Sequence, residues 1–153
     1  MEITTPNAKY WKASVKSSEQ ITQSIHEGEG EITRYKIVGD QKYLPINYEL
    51  WELEPGVSEG DHTHDTPNLA EIYHFLEGNG VITINGEEVK VTKDDTVLVP
   101  PGIDHGVYNT DSTETLRMLI IWGISNNWFI KKYNPYLKGF VVKILVNANS
   151  KYR

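Results

Sequence analysis

Residues 56–78 read GVSEGDHTHDTPNLAEIYHFLEG and residues 100–109 read PPGIDHGVYN. His62 and His64 are two positions apart, so an extended backbone from Asp61 to His64 turns both imidazoles to one face. Glu71, Tyr73 and Phe75 share one face of the next strand, and Ile72, His74 and Leu76 share the other. Glu71 and His74 therefore cannot both point into one barrel unless a bulge intervenes; His74 is read as an outer-face or subunit-contact residue. His105 opens a strand directly after Pro100-Pro101-Gly102, a rigid turn that fixes its direction of approach. Three neutral imidazoles and one carboxylate suit a first-row divalent metal such as Fe, Mn, Ni, Zn or Co.

Outward from these stretches, short β-type runs alternate with turn residues. Glu31 to Val38 (EITRYKIV) and Ile46 to Leu53 (INYELWEL) come first, the latter closed by Pro55-Gly56. Ala70 to Leu76 is ended by Glu77-Gly78-Asn79-Gly80. Val81 to Ile84 and Glu87 to Val91 flank Asn85-Gly86, the preferred pair for a type I′ hairpin, because both central residues need positive φ. Thr96 to Val99, His105 to Tyr108 and Leu116 to Trp122 complete the series. Strands at a spacing of roughly 8 to 12 residues indicate an antiparallel sandwich or barrel. Before them, Trp11, Ala13 and Val15 alternate with Lys12, Ser14 and Lys16, which suits a strand. After them, the segment holding Trp128, Phe129, Tyr133, Tyr136 and Phe140 reads as a helical turn followed by a strand at Gly139 to Val146. The chain thus divides into an N-terminal arm with the first strands (1–45), a barrel core (46–125) and a C-terminal extension (126–153), one domain in all, with both ends packing outside the barrel or on a second copy.

Composition limits the function classes. A chain of 153 residues with 39% hydrophobic and 24% charged residues has the material for one core. A net charge of −6 argues against a phosphate-backbone binder. The absence of cysteine excludes disulfides, thiolate metal sites and cysteine nucleophiles, so any metal takes nitrogen and oxygen ligands from a chain with five histidines. Met1 to Asn7 lacks a basic segment followed by an apolar one, and the longest apolar stretches, Leu116 to Trp122 and Phe140 to Val146, are interrupted by Arg117 and Lys143. The expectation is a soluble, cytoplasmic protein.

Several residues read as structural. His26, between Ile25 and Glu27, reads as a solvated histidine, and Asn109 as the end of a turn. Glu27-Gly28-Glu29-Gly30-Glu31 is acidic and lacks a lysine, so it is a turn and not a phosphate loop. Asp61, Asp65 and Asp104 adjoin histidines but alternate to the other face, so they read mostly as surface charge. Of Tyr48 and Trp51, on opposite faces of one strand, at most one lines the barrel.

The sequence resembles the cupin family. Its first motif is matched by Gly56, five residues, His62-Thr63-His64, a spacer, Glu71, six residues and Gly78. Its second is matched by Pro100-Pro101-Gly102, two residues, His105, three residues and Asn109. There are two departures. Six residues, Asp65 to Ala70, separate His64 from Glu71 where the family usually has three or four, and Asp94 stands where the second motif usually begins with Gly. Thr66-Pro67-Asn68 reads as a loop that lets the extra residues bulge outward. The resemblance implies an all-β, small antiparallel jelly-roll barrel of the RmlC-like kind, with His62, His64, Glu71 and His105 as ligands of one divalent transition metal per chain (Fe, Mn, Zn or Ni). Such a centre would carry a net charge of +1 from the ion and its ligands and leave two positions open in six-coordination. The substrate expected there is small, oxygen-rich and chelating. An anionic one would be drawn by that local charge against the −6 of the whole chain.

Family members with similar ligands include dioxygenases, oxalate-degrading enzymes and phosphosugar isomerases. The leading expectation is a dioxygenase-type oxidoreductase, with Glu71 and Tyr73 as catalytic residues. The alternatives are a Lewis-acid isomerase, epimerase or lyase, and a non-catalytic binding cupin. Arg117 and Lys90 lie away from the pocket face, which favours an unphosphorylated substrate. The family and the aromatic, lysine-bearing tail after Asn126 point to a homodimer.

Overall fold

The computed structural model describes residues 12–39 and 41–125. Nine strands follow one another: β1 (Glu19–Gln23), β2 (Ile32–Lys36), β3 (Ile46–Leu53), β4 (Leu69–Glu77), β5 (Asn79–Ile84), β6 (Glu87–Thr92), β7 (Thr96–Val99), β8 (His105–Tyr108) and β9 (Leu116–Ile124). They form a six-stranded sheet in the order β1-β2-β3-β9-β4-β7 and a three-stranded sheet in the order β6-β5-β8. Every pairing is antiparallel. Inward residues of both sheets meet in one core. Trp51, Leu53, Tyr73, Phe75, Met118 and Ile120 come from the larger sheet, and Ile82, Val91 and Val107 from the smaller. Burial of each large apolar side chain contributes about 1.5–3 kcal/mol before chain entropy is set against it. The result is a small jelly-roll barrel.

Alternation decides which side chains enter. Glu71, Tyr73 and Phe75 of β4 are buried, whereas Ile72, His74 and Leu76 are half-buried on the outer face. On β3, Trp51 is the inward residue of the Tyr48/Trp51 pair. Asn85 and Gly86 have φ of 50° and 80°, as the type I′ turn between β5 and β6 requires. Asp94 has φ of 72° in the turn before β7, and its amide donates to the Phe75 carbonyl at 2.8 Å. The backbone there is left-handed, which explains the glycine expected at this point of the motif. Aspartate is among the residues that tolerate that conformation best.

The six-residue spacer folds into a short turn of its own. Asp65 and Asn68 form a β-bridge across Thr66-Pro67, whose peptide bond is cis. The extra residues therefore leave the barrel before β4 begins and do not change which face Glu71 occupies.

The amino-terminal part differs from expectation. Val15–Ser17 is a single 3-10 turn and the first strand starts only at Glu19, because the serine hydroxyls of Ser17 and Ser18 bond back to the Ser14 carbonyl and curl the chain. Residues 19–36 are part of the larger sheet, and Ile25 and Ile32 join the core, so they do not form an outer arm. Trp11 and the segment after Asn126, including the proposed strand at 139–146 and the tail expected to reach a second copy, lie outside the described residues. Among the described residues no helix is long and apolar enough to cross a membrane.

Asn109 is structural. It is buried, with Nδ2 donating to the carbonyls of Leu53 and Glu114 at 2.8 Å each and Oδ1 accepting from the Asp111 amide at 3.0 Å. Asn109→Ala strands two carbonyls and an amide, and is expected to cost roughly 2–3 kcal/mol in chemical denaturation. A loss below half that would show that water replaces these bonds.

Candidate metal centre

His62, His64, Glu71 and His105 come together at one end of the barrel, with one ligand atom of each inside a cluster whose members all lie within 4.8 Å. Each arrives by a different local device. The extended segment carrying His62 and His64 is tied to β8 by the His62 amide and the His105 carbonyl at 2.9 Å, and by the reciprocal bond at 2.9 Å. Glu71 projects inward from β4. His105 is the first residue of β8 after the Pro100-Pro101-Gly102 turn.

Two imidazoles are oriented through Nδ1. His62 Nδ1 donates to the Gly60 carbonyl at 2.9 Å and His105 Nδ1 to the Ile103 carbonyl at 2.8 Å, so the Nε2 atoms of both face the cluster. Orientation thus comes from main-chain carbonyls. The neighbouring carboxylates Asp61, Asp65 and Asp104 are occupied elsewhere or on the surface; Asp61, for instance, accepts from Thr83.

The spacings fit a cation. His62 Nε2 and His64 Nε2 are 3.0 Å apart, His64 Nε2 and Glu71 Oε2 3.5 Å, His105 Nε2 and Glu71 Oε2 2.6 Å, and His62 Nε2 and Glu71 Oε2 4.0 Å. Ligands at right angles on an ion with bonds of about 2.1 Å lie about 3 Å apart, and opposite ligands about 4.2 Å apart. All four separations lie within the span that two ligands of one such ion could have. Two Nε2 lone pairs facing each other at 3.0 Å also repel unless a proton or a metal lies between them.

Electrostatics set the same arrangement. Burial is the main reason the His62 pKa falls to about 4, and the neighbouring histidines add to it, which keeps the ring neutral as a ligand must be. For Glu71, burial favours the acid, but the hydrogen bond from His105 and the nearby imidazoles outweigh it and hold the pKa below its ordinary value. For His105, burial is opposed and outweighed by the bonds to Glu71 and to the Ile103 carbonyl, so its pKa rises.

Beneath the cluster lies a fully buried pair. The Tyr73 hydroxyl donates to Glu71 Oε2 at 3.0 Å and lies 3.2 Å from Glu59 Oε2 and 3.1 Å from His105 Nε2. Burial, and then the Glu71 charge, push Glu59 up to about 8. Burial and the two carboxylates raise Tyr73 well above its ordinary value. A hydroxyl has one hydrogen to give, so an acid-form Glu59 returns its own to the Tyr73 oxygen while Tyr73 holds Glu71.

Above the cluster opens a cavity of about 290 Å³, at the small end for ligand pockets. His64 and Glu71 line it, together with Arg34, His26, Trp51 and Trp122. Tyr73 does not reach this cavity. Of the described histidines, His74 is the one removed from the site; its Nδ1 is 2.8 Å from Thr96 Oγ1 on the outer face. His74→Ala is expected to leave the metal content of the purified protein unchanged, which elemental analysis can check.

The Cupin domain family model matches residues 49–122. An uncharacterized protein of Methanocaldococcus jannaschii is 42% identical over 81 residues, 53% of this chain and 64% of that one. An oxalate-binding protein of Thermotoga maritima is 34% identical over 70 residues, 46% of this chain and 56% of its own length. The matches thus span less than two thirds of either relative. The crystal structure of a predicted oxalate decarboxylase from Thermotoga maritima superposes with a TM-score of 0.69 at 24% identity, covering 75% of this chain and all of that one. Residues 49–122 thus match the Cupin domain, and the chain has the cupin fold.

Three residues that strand parity does not reveal surround these candidate metal ligands. His26 is not simply solvated: its ring stacks on His62 with centroids 3.6 Å apart and planes 12° from parallel. Burial and the nearby His64 lower its pKa. It sits in a turn with φ of 49°, and Glu27 beside it has φ of 60°. Glu59 lies three positions before His62, an odd offset that in a regular strand would send it to the other face. Arg34 contributes a cation to a pocket expected to have little cationic character, because β2 is part of its wall. Arg117, by contrast, lies outside, paired with Glu52 and Glu77 at 2.9 Å each.

Proposed function

We propose that this cupin binds one divalent transition metal through His62, His64, Glu71 and His105 and acts on a small, oxygen-rich, chelating molecule as a dioxygenase-type oxidoreductase. The observation that carries this reading is the set of ligand-like separations from 2.6 to 4.0 Å beside an open cavity. An ion held there would supply Lewis-acid polarisation of substrate oxygens and, if iron, access to dioxygen chemistry. His64 and Glu71 line the cavity, so an ion they helped to hold would be within reach of a molecule entering it. Tyr73 is then a positioning residue that fixes the Glu71 carboxylate, and Trp51 and Trp122 exclude water from the far wall.

A second reading, a lyase that uses the metal without oxygen, is favoured by the likeness to proteins described as oxalate-binding and as a predicted oxalate decarboxylase. Elemental analysis of protein purified without added metal, followed by parallel oxygen-uptake and carbon dioxide assays on enols, diketones and oxalate, separates them. Oxygen uptake with an enol or diketone supports the first reading. Carbon dioxide release under nitrogen overturns it in favour of the second. Metal binding with neither activity reduces the protein to a ligand-binding cupin.

A further inference from the structure

Arg34 lies on the same cavity as His64 and Glu71, but on the wall built from β2 and β3. Its side chain is only 14% exposed, and three groups hold it in place. Nε and Nη2 donate to the two oxygens of Glu49 at 2.8 and 2.9 Å. Trp51 Nε1 donates to the same carboxylate at 2.8 Å. The guanidinium lies 5.0 Å from the Trp51 ring centre and 6.0 Å from that of Trp122. A rotamer-rich side chain has thus been ordered before any ligand arrives, which lowers the entropy cost of using it in recognition.

The fork to Glu49 uses two of the three guanidinium nitrogens and leaves Nη1 to donate to another acceptor. Glu49 is itself buried, so the pair stays together and its charges cancel. The far wall therefore offers directed N–H groups without net charge. The metal end, with three neutral histidines and one carboxylate, would carry +1 when it holds a divalent ion.

We infer that Arg34 is the far anchor of the pocket, and that the preferred ligand is a monoanionic chelator whose other end is an uncharged oxygen acceptor, a hydroxyl or carbonyl. The inference rests on the metal reading given above and adds the substrate class. A second negative charge on the ligand gains from Arg34 what it loses to Glu49. A neutral oxygen takes the hydrogen bond from a charged donor without that opposition.

The test is calorimetric titration of the manganese-loaded protein with two series of 2-hydroxy acids that differ only at the far end. The shorter series is 2-hydroxybutanoate, 2,4-dihydroxybutanoate and malate. The longer is 2-hydroxypentanoate, 2,5-dihydroxypentanoate and 2-hydroxyglutarate. In at least one series the hydroxyl-ended acid is expected to bind about tenfold tighter than both its methyl-ended and carboxylate-ended counterparts. Arg34→Met should abolish that advantage. Arg34→Lys, which keeps the charge without the fork, should lose most of it and serves if the methionine variant fails to fold. Glu49→Gln removes the opposing charge, and should shift preference toward the carboxylate-ended acid by about tenfold. Metal-dependent binding with no hydroxyl preference in either series, or a preference that survives both Arg34 variants, overturns the assignment of Arg34 and leaves the metal reading intact. Binding that is equal with and without manganese, or absent for every acid, overturns the metal reading and this proposal with it.

Discussion

His105→Ala is expected to weaken metal binding at least about a hundredfold, beyond the 10- to 100-fold typical of losing an outer partner of a ligand. His105 is 1% exposed and its Nε2 is 2.6 Å from the Glu71 oxygen, so its removal takes away one donor and loosens a second. The effect should also appear as stability. Metal at a hundred times its dissociation constant adds about 2.7 kcal/mol, which for a domain of this size raises the melting temperature by roughly 5–10 °C. The wild-type chain should show that rise on metal loading and lose it on dialysis against a chelator, while the variant shows neither. A competitive chelator titration supplies the affinity, and unchanged affinity in the variant would mean that His105 is not a ligand.

Gly60→Ala is expected to act on the fold and the site together. A Cβ at Gly60 runs into the His26 carbonyl oxygen, and the atoms around it are backbone that cannot turn aside. Gly28, across the same contact, has equally little room against the Ser58 carbonyl. The Gly60 amide donates to the Ile25 carbonyl at 3.2 Å, and the Gly60 carbonyl accepts from His62 Nδ1 at 2.9 Å. Forcing the two segments apart should cost about 3 kcal/mol, the upper range for overpacking. It should also cost 10- to 100-fold in metal affinity, because the carbonyl that orients His62 moves. Denaturant unfolding and metal titration of the same sample check the two effects. Lost stability with unchanged affinity would show that His62 keeps its orientation without this contact.

These two positions also mark the division between what the sequence reveals and what it hides. His62, His64, Glu71 and His105 can be picked out because they stand at the ligand positions of the two motifs the sequence resembles, and period-two alternation and the Pro100-Pro101-Gly102 turn agree with that placement. The hairpin at Asn85-Gly86 follows from backbone stereochemistry alone. Glu59 escapes the same reasoning because the segment before His62 is irregular, so alternation does not apply to it. His26 and Arg34 escape it for a different reason. They reach the site through a turn and a strand far from the motifs, and nothing in residues 19–36 states which sheet edge they will join. The described part of the strand expected from Trp11 to Lys16, residues 12–16, shows the competing local effect: serine side chains that bond to the main chain override an alternating pattern.

The larger sheet draws on two separate portions of the chain, and this has a consequence for how such a protein can diversify. All four candidate metal ligands come from residues 62–105, whereas Gln23, Ser24, Ile25, His26 and Arg34 on the cavity wall precede them in the chain. Substitutions in the early hairpin can therefore reshape the cavity wall while the four candidate ligands stay unchanged. A library confined to residues 23–34 would vary the cavity wall around a constant set of candidate ligands.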